Sequence, residues 1–363
     1  MNYLFHLGHP AHFHLFKNVI KVLKQRNNKV TIVIKKKDVL EKLLIEEGFD
    51  YINMLPEGRK DSKAGIALGL MKRDIKLFCH CLNNKYDLMI GTSPEITHIG
   101  KLLGIKSICV NEDDAAAVPL FAKLSYPLAS EILTPESCDN GAWNEKSIKY
   151  NSYHELAYLS PEYFTPDVSY LEHYKLVQPF TIIRFSKLNA HHDAGVKGIS
   201  DSLAKTIINK ANKFGRIYIT SEKELSNEFE KYRLNINPLH IHNVTAYANL
   251  FIGDSQTMTA EAAVLGTPAL RFNDFVGRLG YLDELEYKYK LTYGIKTTEP
   301  HKLLNIIDEL LSIRKIKNVW NVKRQEMLRD KINLTKFMLW FIENYPASSS
   351  VMKSNPFYQY KFA

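Results

Sequence analysis

The feature that most constrains the fold of this chain is a regular alternation of short β-rich runs with helical segments. The first run, residues 3–7, is followed by Gly8-His9-Pro10 and by a segment over about residues 11–26 whose apolar residues recur at helical spacing. Further runs at 30–34, 51–54, 88–90, 107–110 and 131–133 are separated by helical patterns. Strands that alternate with helices predict βαβ units around a parallel sheet. We therefore predict an α/β fold whose first half is one doubly wound domain.

The second half repeats the alternation, with strands predicted at 180–185, 216–220, 250–253 and 269–272. The length of 363 residues exceeds the size at which a single core stops growing, so two domains are expected. The stretch 161–179 is irregular and contains three prolines. The predicted division is an N-terminal Rossmann-like domain at 1–165, a linker at 166–179, a C-terminal Rossmann-like domain at 180–345, and a tail at 346–363 that returns toward the N-terminal domain.

The composition is that of a globular protein with a basic surface. Hydrophobic residues make up 45% and charged residues 24%, and 48 Lys and Arg against 39 Asp and Glu give a formal net charge of +9. This charge favours anionic partners, either a phosphate-bearing substrate or the anionic face of a membrane. No aromatic RNA-binding signature accompanies the basic residues, so nucleic acid is not an expected partner.

The sequence also bears on location and on metals. No apolar stretch reaches the roughly 18 residues of a spanning helix, and the N-terminal apolar run is too short for a signal peptide. We expect a cytoplasmic protein that is soluble or at most peripheral on the inner membrane face. Cys79, Cys81, Cys109 and Cys138 form no CxxC pair and no zinc spacing, so reduced, mostly buried thiols and no metal site are expected.

Ligands of doubly wound folds lie at the carboxyl ends of strands, and the turn after the first strand is rich in histidine. It contains His6, His9, His12 and His14. His12 falls in the first turn of a predicted helix, where a neutral imidazole is a candidate general base. The alternative, weighed evenly, is that His9 caps the helix and that His12 or His14 is a packing residue.

Two further strand ends in the first half carry polar turns, Gly91-Thr92-Ser93-Pro94 and Asn111-Glu112-Asp113-Asp114. Glu112 and Asp113 either contact a substrate or cap the helix that follows. In the second half, a polar loop after the strand at 180–185 contains His191-His192-Asp193. Adjacent histidines in a loop point apart, so we expect His191 or His192 to lie near bound phosphates rather than to bind a metal.

The stretch GDSQTMTAEAAVLGTPAL, Gly253 to Leu270, has the features of a nucleotide site. A buried strand ends in Gly-Asp-Ser, and a helix begins near Gln256. Amides at a helix start that bulky side chains do not obstruct bind diphosphate well. Glu261 follows one turn later, where a carboxylate can accept two ribose hydroxyls. Small residues allow this helix to pack close to the sheet before Gly266 ends it.

This stretch resembles the C-terminal nucleotide-sugar segment of GT-B proteins. These include the non-hydrolysing UDP-N-acetylglucosamine 2-epimerases and the transferase that adds N-acetylglucosamine to the peptidoglycan lipid precursor. The segment ICVNEDDAAAVPLFAKLSYPLASEILTP is similar to the matching stretch of that transferase, where a Glu precedes a helix that enters the cleft. The segments HLGHPAHFHLFKNVIKVLKQRNNKVTIV and RFSKLNAHHDAG resemble an uncharacterised prokaryotic family, a domain of unknown function related to both. The resemblance covers most of residues 1–345.

The resemblance implies GT-B architecture, two Rossmann-like doubly wound domains facing a cleft. It also implies that the acid at Glu261 holds the ribose and that the small hydroxyl residues before it meet the diphosphate. The epimerases have a Gly-Asp-Thr turn whose Asp is catalytic, whereas this sequence has Gly91-Thr92-Ser93. Glu112 matches their second acid, but the missing Asp argues against epimerisation. The glycine-rich turn of the transferase is reduced to Gly8-His9-Pro10, so the acceptor is not implied.

The first hypothesis is a metal-independent glycosyltransferase that uses a nucleoside-diphosphate sugar, a UDP-sugar by resemblance, and no separate cofactor. Its acceptor would be a glycan or a lipid-linked molecule in the synthesis of cell-surface polysaccharide or glycolipid, with peripheral contact to an anionic membrane. His12 is the expected base, and Glu112 is expected to line the cleft. The expected nucleotide-sugar-binding residues are Arg184, Ser186, His191, Asp254, Ser255, Gln256, Thr257, Met258, Thr259, Glu261, Asn273 and Asp274. The alternatives are an epimerase or hydrolase of the nucleotide sugar and a non-catalytic nucleotide-sugar-binding or assembly protein.

Overall fold

The computed structural model describes residues 1–37, 39–57, 62–186, 198–222 and 224–363, and it divides into two compact units. Unit 1 comprises residues 1–158 and 331–363, and unit 2 comprises residues 159–330. The division therefore precedes the linker expected at 166–179. The C-terminal return to unit 1 begins at Lys331, earlier than the expected tail.

Unit 1 is built on a seven-stranded sheet in which the strands are parallel and lie in the order β3-β2-β1-β4-β5-β6-β7. The strands are β1 (Asn2–Leu7), β2 (Lys29–Ile34), β3 (Ile52–Asn53), β4 (Leu88–Gly91), β5 (Lys106–Val110), β6 (Glu131–Pro135) and β7 (Ser147–Tyr150). The helices are α1 (Pro10–Gln25), α2 (Leu40–Glu46), α3 (Lys63–Asn83), α4 (Pro94–Leu103), α5 (Pro119–Ser125) and, at the boundary, α6 (Leu156–Leu159).

Unit 2 has a five-stranded parallel sheet in the order β12-β11-β10-β8-β9. Its strands are β8 (Phe180–Phe185), β9 (Arg216–Ser221), β10 (Leu250–Gly253), β11 (Ala269–Phe272) and β12 (Thr292–Ile295). Its helices are α7 (Ser169–His173), α8 (Asp201–Ala211), α9 (Ile241–Tyr247), α10 (Gln256–Val264), α11 (Gly280–Asp283), α12 (Pro300–Ser312) and α13 (Ile316–Asp330). The last two helices, α14 (Leu334–Glu343) and α15 (Ala347–Ser354), belong to unit 1.

Helix α1 illustrates how the sequence determines the helices of unit 1. In α1, Pro10 occupies the first turn, where its missing N–H costs nothing, and His9 caps the helix. Phe13, Phe16 and Leu23 follow one face of α1 and are buried, together with Val19 and Ile20. The predicted strands and helices of unit 1 are present, and β7 is an addition to them.

Each sheet has one topological switch point, where the strand order reverses. In unit 1 it lies between β1 and β4, and in unit 2 it lies between β8 and β10. Connections leave such neighbouring strands in opposite directions, which opens a crevice at their carboxyl ends. The two switch points therefore select one place in each unit where a ligand can bind.

In the described part of the chain, every helix is too short or too polar to span a lipid bilayer.

Candidate functional site

The turn at the end of β1 forms one side of the switch point of unit 1. His9 Nδ1 accepts a hydrogen bond from the Ala11 amide at 3.2 Å, so His9 is the N-cap of α1. His14 is buried and stacks on Tyr158, with 5.0 Å between the ring centroids. These contacts give His9 and His14 the capping and packing roles that the sequence left open.

His12 is the histidine of this turn that reaches across to β4. Its Nδ1 accepts a hydrogen bond from the Gly8 amide at 3.1 Å, and Thr92 Oγ1 lies 2.7 Å from Nε2. Burial, together with the nearby His9 and Lys35, holds the pKa of His12 well below its usual range. His12 is therefore neutral at pH 7, which is the form that a general base requires.

Glu112 follows β5, and its carboxylate is largely buried, with 12% of the side chain exposed. Glu112 Oε2 lies 3.3 Å from His154 Nδ1. Burial lowers the pKa of His154 to about 3, against a smaller opposing effect of Asp113. His154 is consequently neutral at pH 7, and its contact with Glu112 is a polar contact rather than an ion pair. The sequence identified Thr92 only as part of a polar turn and did not predict its contact with His12, and His154 stands in no recognisable motif.

A buried polar group lies beneath the same switch point. Glu95 and Arg73 form a buried ion pair, and His6 is 1% exposed. Among the described residues, no hydrogen-bond partner is found for either ring nitrogen of His6 or for Arg73 Nη1, Glu95 Oε2 and Ser93 Oγ. Burial opposes the ionisation of Glu95, but His6, Arg73 and Lys35 outweigh it and lower its pKa to about 2. Gly91 is required here, because a Cβ would stand 2.6 Å from the His6 carbonyl oxygen.

In unit 2, the end of β8 is joined to the end of β10 by a hydrogen bond. The Ser186 amide donates to Asp254 Oδ1 at 2.7 Å, and Asp254 is 1% exposed. Arg184 donates to Thr220 Oγ1 at 2.9 Å and pairs with Glu222. The structure thus places Arg184 and Ser186 beside the switch point and gives Asp254 the role of holding the β8 turn.

The first turn of α10 lies on the other side of this switch point. Ser255 is the N-cap, and its Oγ accepts from the Met258 amide at 3.3 Å. Gln256, Thr257 and Met258 are half-buried, whereas Thr259 is buried and donates to the Ser255 carbonyl at 2.6 Å. Of the hydroxyl residues predicted to meet phosphates, Thr257 is therefore accessible and Thr259 is a packing residue.

Glu261 is 5% exposed and is held by a histidine from the neighbouring helix. Its Oε1 lies 3.0 Å from Nε2 of His242, which is in α9 and is also buried. The carboxylate is thus fixed in one orientation one turn below the start of α10. His242 was missed from sequence, because a single histidine before a strand carries no signal of a contact across two helices.

The turn after β11 also contains predicted site residues. Asn273 is fully buried, donates to the Asp254 carbonyl at 2.9 Å and accepts from the Phe275 amide at 3.0 Å, so its side chain holds this turn. Asp274 is half-buried and accepts a hydrogen bond from Thr297. His191 lies outside the described residues. Within the described ranges, no three His, Cys, Asp or Glu side chains are grouped so that they could hold a metal ion.

The chain matches a family and shares its fold with solved structures. The profile of a family described as "Protein of unknown function (DUF354)" matches residues 3–337. No curated protein matches the sequence. The Methanocaldococcus jannaschii UDP-GlcNAc 2-epimerase, solved in complex with UDP-GlcNAc and UDP, is similar with a TM-score of 0.63 and 12% identity, over 86% of this chain and 94% of that chain.

Two further solved structures show the same likeness. The spinosyn rhamnosyltransferase SpnG, complexed with thymidine diphosphate, has a TM-score of 0.63 and 12% identity over 95% of this chain and 100% of that chain. MurG of Acinetobacter baumannii has a TM-score of 0.60 and 12% identity over 94% of this chain and 99% of that chain. At these identities the similarity shows the fold, and with the two doubly wound units it shows GT-B architecture.

Proposed function

The chain belongs to the DUF354 family of proteins of unknown function, and we propose that it is a glycosyltransferase that uses a nucleoside-diphosphate sugar, a UDP-sugar. In the proposed reaction, an acceptor oxygen attacks the anomeric carbon of the sugar while the bond from that carbon to the diphosphate breaks. The proton of the acceptor passes to a base, and the nucleoside diphosphate leaves with the bonding electron pair. No cofactor takes part, and no metal ion is needed in this proposal.

The observation that carries the proposal is the start of α10 at the switch point of unit 2. The amides of a first helical turn have no carbonyl partners within the helix, and the helix dipole favours negative charge there. Gln256 and Thr257 are accessible at this turn, and Arg184 lies at the end of the neighbouring strand β8. These groups would bind the diphosphate and stabilise the charge that develops on it when the sugar departs.

Glu261 is proposed to accept the ribose hydroxyls. The contact of its carboxylate with His242 at 3.0 Å would hold Glu261 in one orientation, so that binding costs little further side-chain freedom. Fold neighbours solved with UDP or with thymidine diphosphate support a nucleotide in this architecture.

The switch point of unit 1 is proposed to bind the acceptor, with His12 as the base. The low pKa of His12, which burial causes, keeps its imidazole unprotonated at pH 7. Because Nδ1 accepts from the Gly8 amide, the neutral ring carries its proton on Nε2, and the Gly8 hydrogen bond must be exchanged for the acceptor hydroxyl before proton transfer. The proposed acceptor is a glycan or a lipid-linked molecule of cell-surface polysaccharide synthesis, reached by peripheral contact with an anionic membrane.

The contact between Glu112 and His154 favours a second candidate, an epimerase or hydrolase of the nucleotide sugar. A carboxylate beside a neutral imidazole can take a proton from a sugar carbon or activate water. Against it stands Thr92, an uncharged residue at the position where the epimerases carry a catalytic acid. A non-catalytic nucleotide-sugar-binding protein is the third candidate.

Thermal shift with a panel of nucleotide sugars tests the binding step, because a ligand that binds only the native state raises the melting temperature. Turnover with the best ligand, with and without glycan or lipid-linked acceptors, then separates the candidates. Release of nucleoside diphosphate that requires the acceptor supports transfer. A changed sugar without acceptor supports epimerisation, and stabilisation without turnover supports binding alone. No stabilisation by any nucleotide sugar would overturn the proposal.

A further inference from the structure

Helices α3, α4 and α5 form a continuous layer on unit 1. Helix α3 packs against α4, and α4 packs against α5. The inner side of the layer joins the core, where Leu77, Ile96 and Ile99 are buried. The outer side of the layer is exposed, and its composition is unlike that of an ordinary solvated helix face.

The outer side of α3 carries a stripe of exposed apolar residues. Leu68, Met71, Ile75 and Leu82 are 54%, 52%, 55% and 62% exposed. Their spacings of three, four and seven residues put them on one face of the helix. Leu102 on α4 is 68% exposed and Leu120 on α5 is 47% exposed, which extends the apolar surface across the layer. Helix α3 is therefore apolar on its inner and outer sides, and its outer side needs a separate explanation.

The exposed charged side chains that the structure describes on α3, α4 and α5 are lysines. Lys72, Lys76, Lys101 and Lys123 are exposed. The two carboxylates of α3, α4 and α5 are engaged by partners within the unit: Glu95 pairs with Arg73 in the interior, and Asp74 lies 2.9 Å from His98 Nδ1. An exposed carboxylate near the surface is Glu57, in the loop before α3, whose pKa is lowered by its own backbone amide and then by Lys76 and Lys72.

We propose that this outer surface of α3, α4 and α5 binds an anionic lipid membrane. Apolar side chains flanked by lysines match the two requirements of an interfacial helix, burial below the headgroups and attraction to anionic lipid. A second copy of this chain would fit less well, because lysines would face lysines across the interface. The inference rests on the membrane contact in the proposed function and names the surface that makes it.

Co-sedimentation with vesicles of phosphatidylcholine alone, or of phosphatidylcholine with one-quarter phosphatidylglycerol, tests the surface without any nucleotide. We expect binding only to the anionic vesicles, weakening as salt is raised. Substituting Lys72→Gln with Lys76→Gln should weaken partitioning by about 25-fold, since each lysine near an anionic surface contributes about fivefold. Met71→Gln with Ile75→Gln should weaken it by roughly tenfold or more, because two apolar side chains no longer enter the lipid.

The matched control is Val319→Gln with Val322→Gln on α13 of unit 2, where the valines are 42% and 70% exposed. This variant should bind vesicles as the unchanged protein does. Thermal shift by UDP in each variant checks folding and donor binding, so failure of the proposed function is seen apart from failure of this surface. If the Lys72/Lys76 and Met71/Ile75 variants bind vesicles as well as the Val319/Val322 control, the proposal is wrong. It is also wrong if neutral vesicles bind the protein as well as anionic ones.

Cys79 gives a second readout from the same face. It is exposed on α3, whereas Cys81, Cys109 and Cys138 are buried, so a polarity-sensitive thiol dye will label Cys79 selectively. Its emission should shift to the blue on anionic vesicles. The dye emission could instead shift with protein concentration in the absence of vesicles. If the protein then forms dimers in solution that the Met71 and Ile75 substitutions dissociate, the surface binds a second copy of the chain and the membrane proposal is wrong.

Discussion

At the scale of single residues, the carboxylate of Glu261 is bound before any ligand arrives. His242 and Glu261 are 4% and 5% exposed, so removal of either side chain would leave the other buried without its partner. A truncation such as Glu261→Ala would therefore mix a folding defect with a binding defect. The amide of Glu261→Gln keeps the shape and an oxygen that can face His242, and it removes only the charge.

We expect Glu261→Gln to weaken UDP binding by about 10- to 100-fold, which corresponds to the roughly 1.5–3 kcal/mol of a hydrogen bond to a charged group. The melting temperature without ligand should change little. Isothermal calorimetry measures the affinity, and Glu326→Gln on the exposed side of α13 is the matched control. Unchanged affinity in a folded Glu261→Gln protein would remove Glu261 from the ribose site.

His12 and His9 stand in the same turn but differ in their contacts, which makes them a matched pair. We expect His12→Asn to slow transfer by about 100- to 10,000-fold, the usual range for a lost general base, while UDP affinity is retained. His9→Asn should remain active, because Asn is among the best N-cap residues and replaces the bond to Ala11. Rapid transfer by His12→Asn would reduce His12 to a residue that ties Gly8 to Thr92.

At the scale of elements, the sequence predicted most strands of both sheets, though not β7 or β12, and both switch-point turns, but not the contacts that hold those turns. Periodicity identifies α1 because a buried face repeats along the helix, whereas β10 is identified as a short apolar run that is buried throughout. It does not reveal that Asn273 turns inward to Asp254, or that His154 meets Glu112, since those contacts join distant segments. The division after Tyr158 was also not predictable, because packing rather than proline content decides which unit receives α7.

The C-terminal end of α10 offers a prediction about the helix that would hold the nucleotide. Gly266 has φ +77°, and a Cβ there would meet Arg324 Cδ at 2.9 Å. Arg324 Nε donates to the Val264 carbonyl at 2.7 Å and caps the helix. Gly266→Ala should thus lose about 1–2 kcal/mol for the left-handed conformation and up to about 1 kcal/mol more for the displaced cap.

Gly277→Ala separates the two effects. Gly277 has φ +78° and nothing within 4 Å of the added Cβ, so only the conformational cost applies. Urea denaturation of both variants should give the larger loss for Gly266→Ala. Equal losses would mean that Arg324 moves without cost and that the cap contributes nothing measurable.

At the scale of the whole molecule, the charges proposed to stabilise the leaving diphosphate belong to the protein itself. They are the amides at the start of α10 and the guanidinium of Arg184. The nearby carboxylate of Asp254 accepts a hydrogen bond from the Ser186 amide and is thus engaged within the protein. We expect sugar transfer to continue at its full rate in EDTA. Initial rates in EDTA, and after adding back excess Mg²⁺ or Mn²⁺, measure this. Activity lost with the chelator and regained with a divalent ion would contradict the metal-independent reaction.

Buried histidines should make the stability of unit 1 sensitive to acid. In unit 1, burial lowers the pKa of His6 to about 4 and that of His154 to about 3. Both histidines stay neutral in the folded unit while the unfolded chain takes up protons below a pKa of about 6.5, so the unfolded state binds more protons and stability falls as pH falls. Between pH 7 and pH 5 this costs about 2 kcal/mol for each histidine.

Hydrogen exchange of peptides from β1 and β4, followed at pH 7, 6 and 5 with intrinsic exchange rates corrected for pH, reports the stability of unit 1 by itself. We expect the opening free energy of these strands to fall from pH 7 to pH 5. In His6→Gln, the slope of this free energy against pH should decrease by about one proton, because glutamine does not titrate. His301→Gln, at an exposed histidine of α12 in unit 2, is the control and should leave the slope of β1 and β4 unchanged. If the slope in His6→Gln equals that of the unchanged protein, burial does not hold His6 neutral. The polar group around Glu95 and Arg73 would then have to contain a charged imidazole.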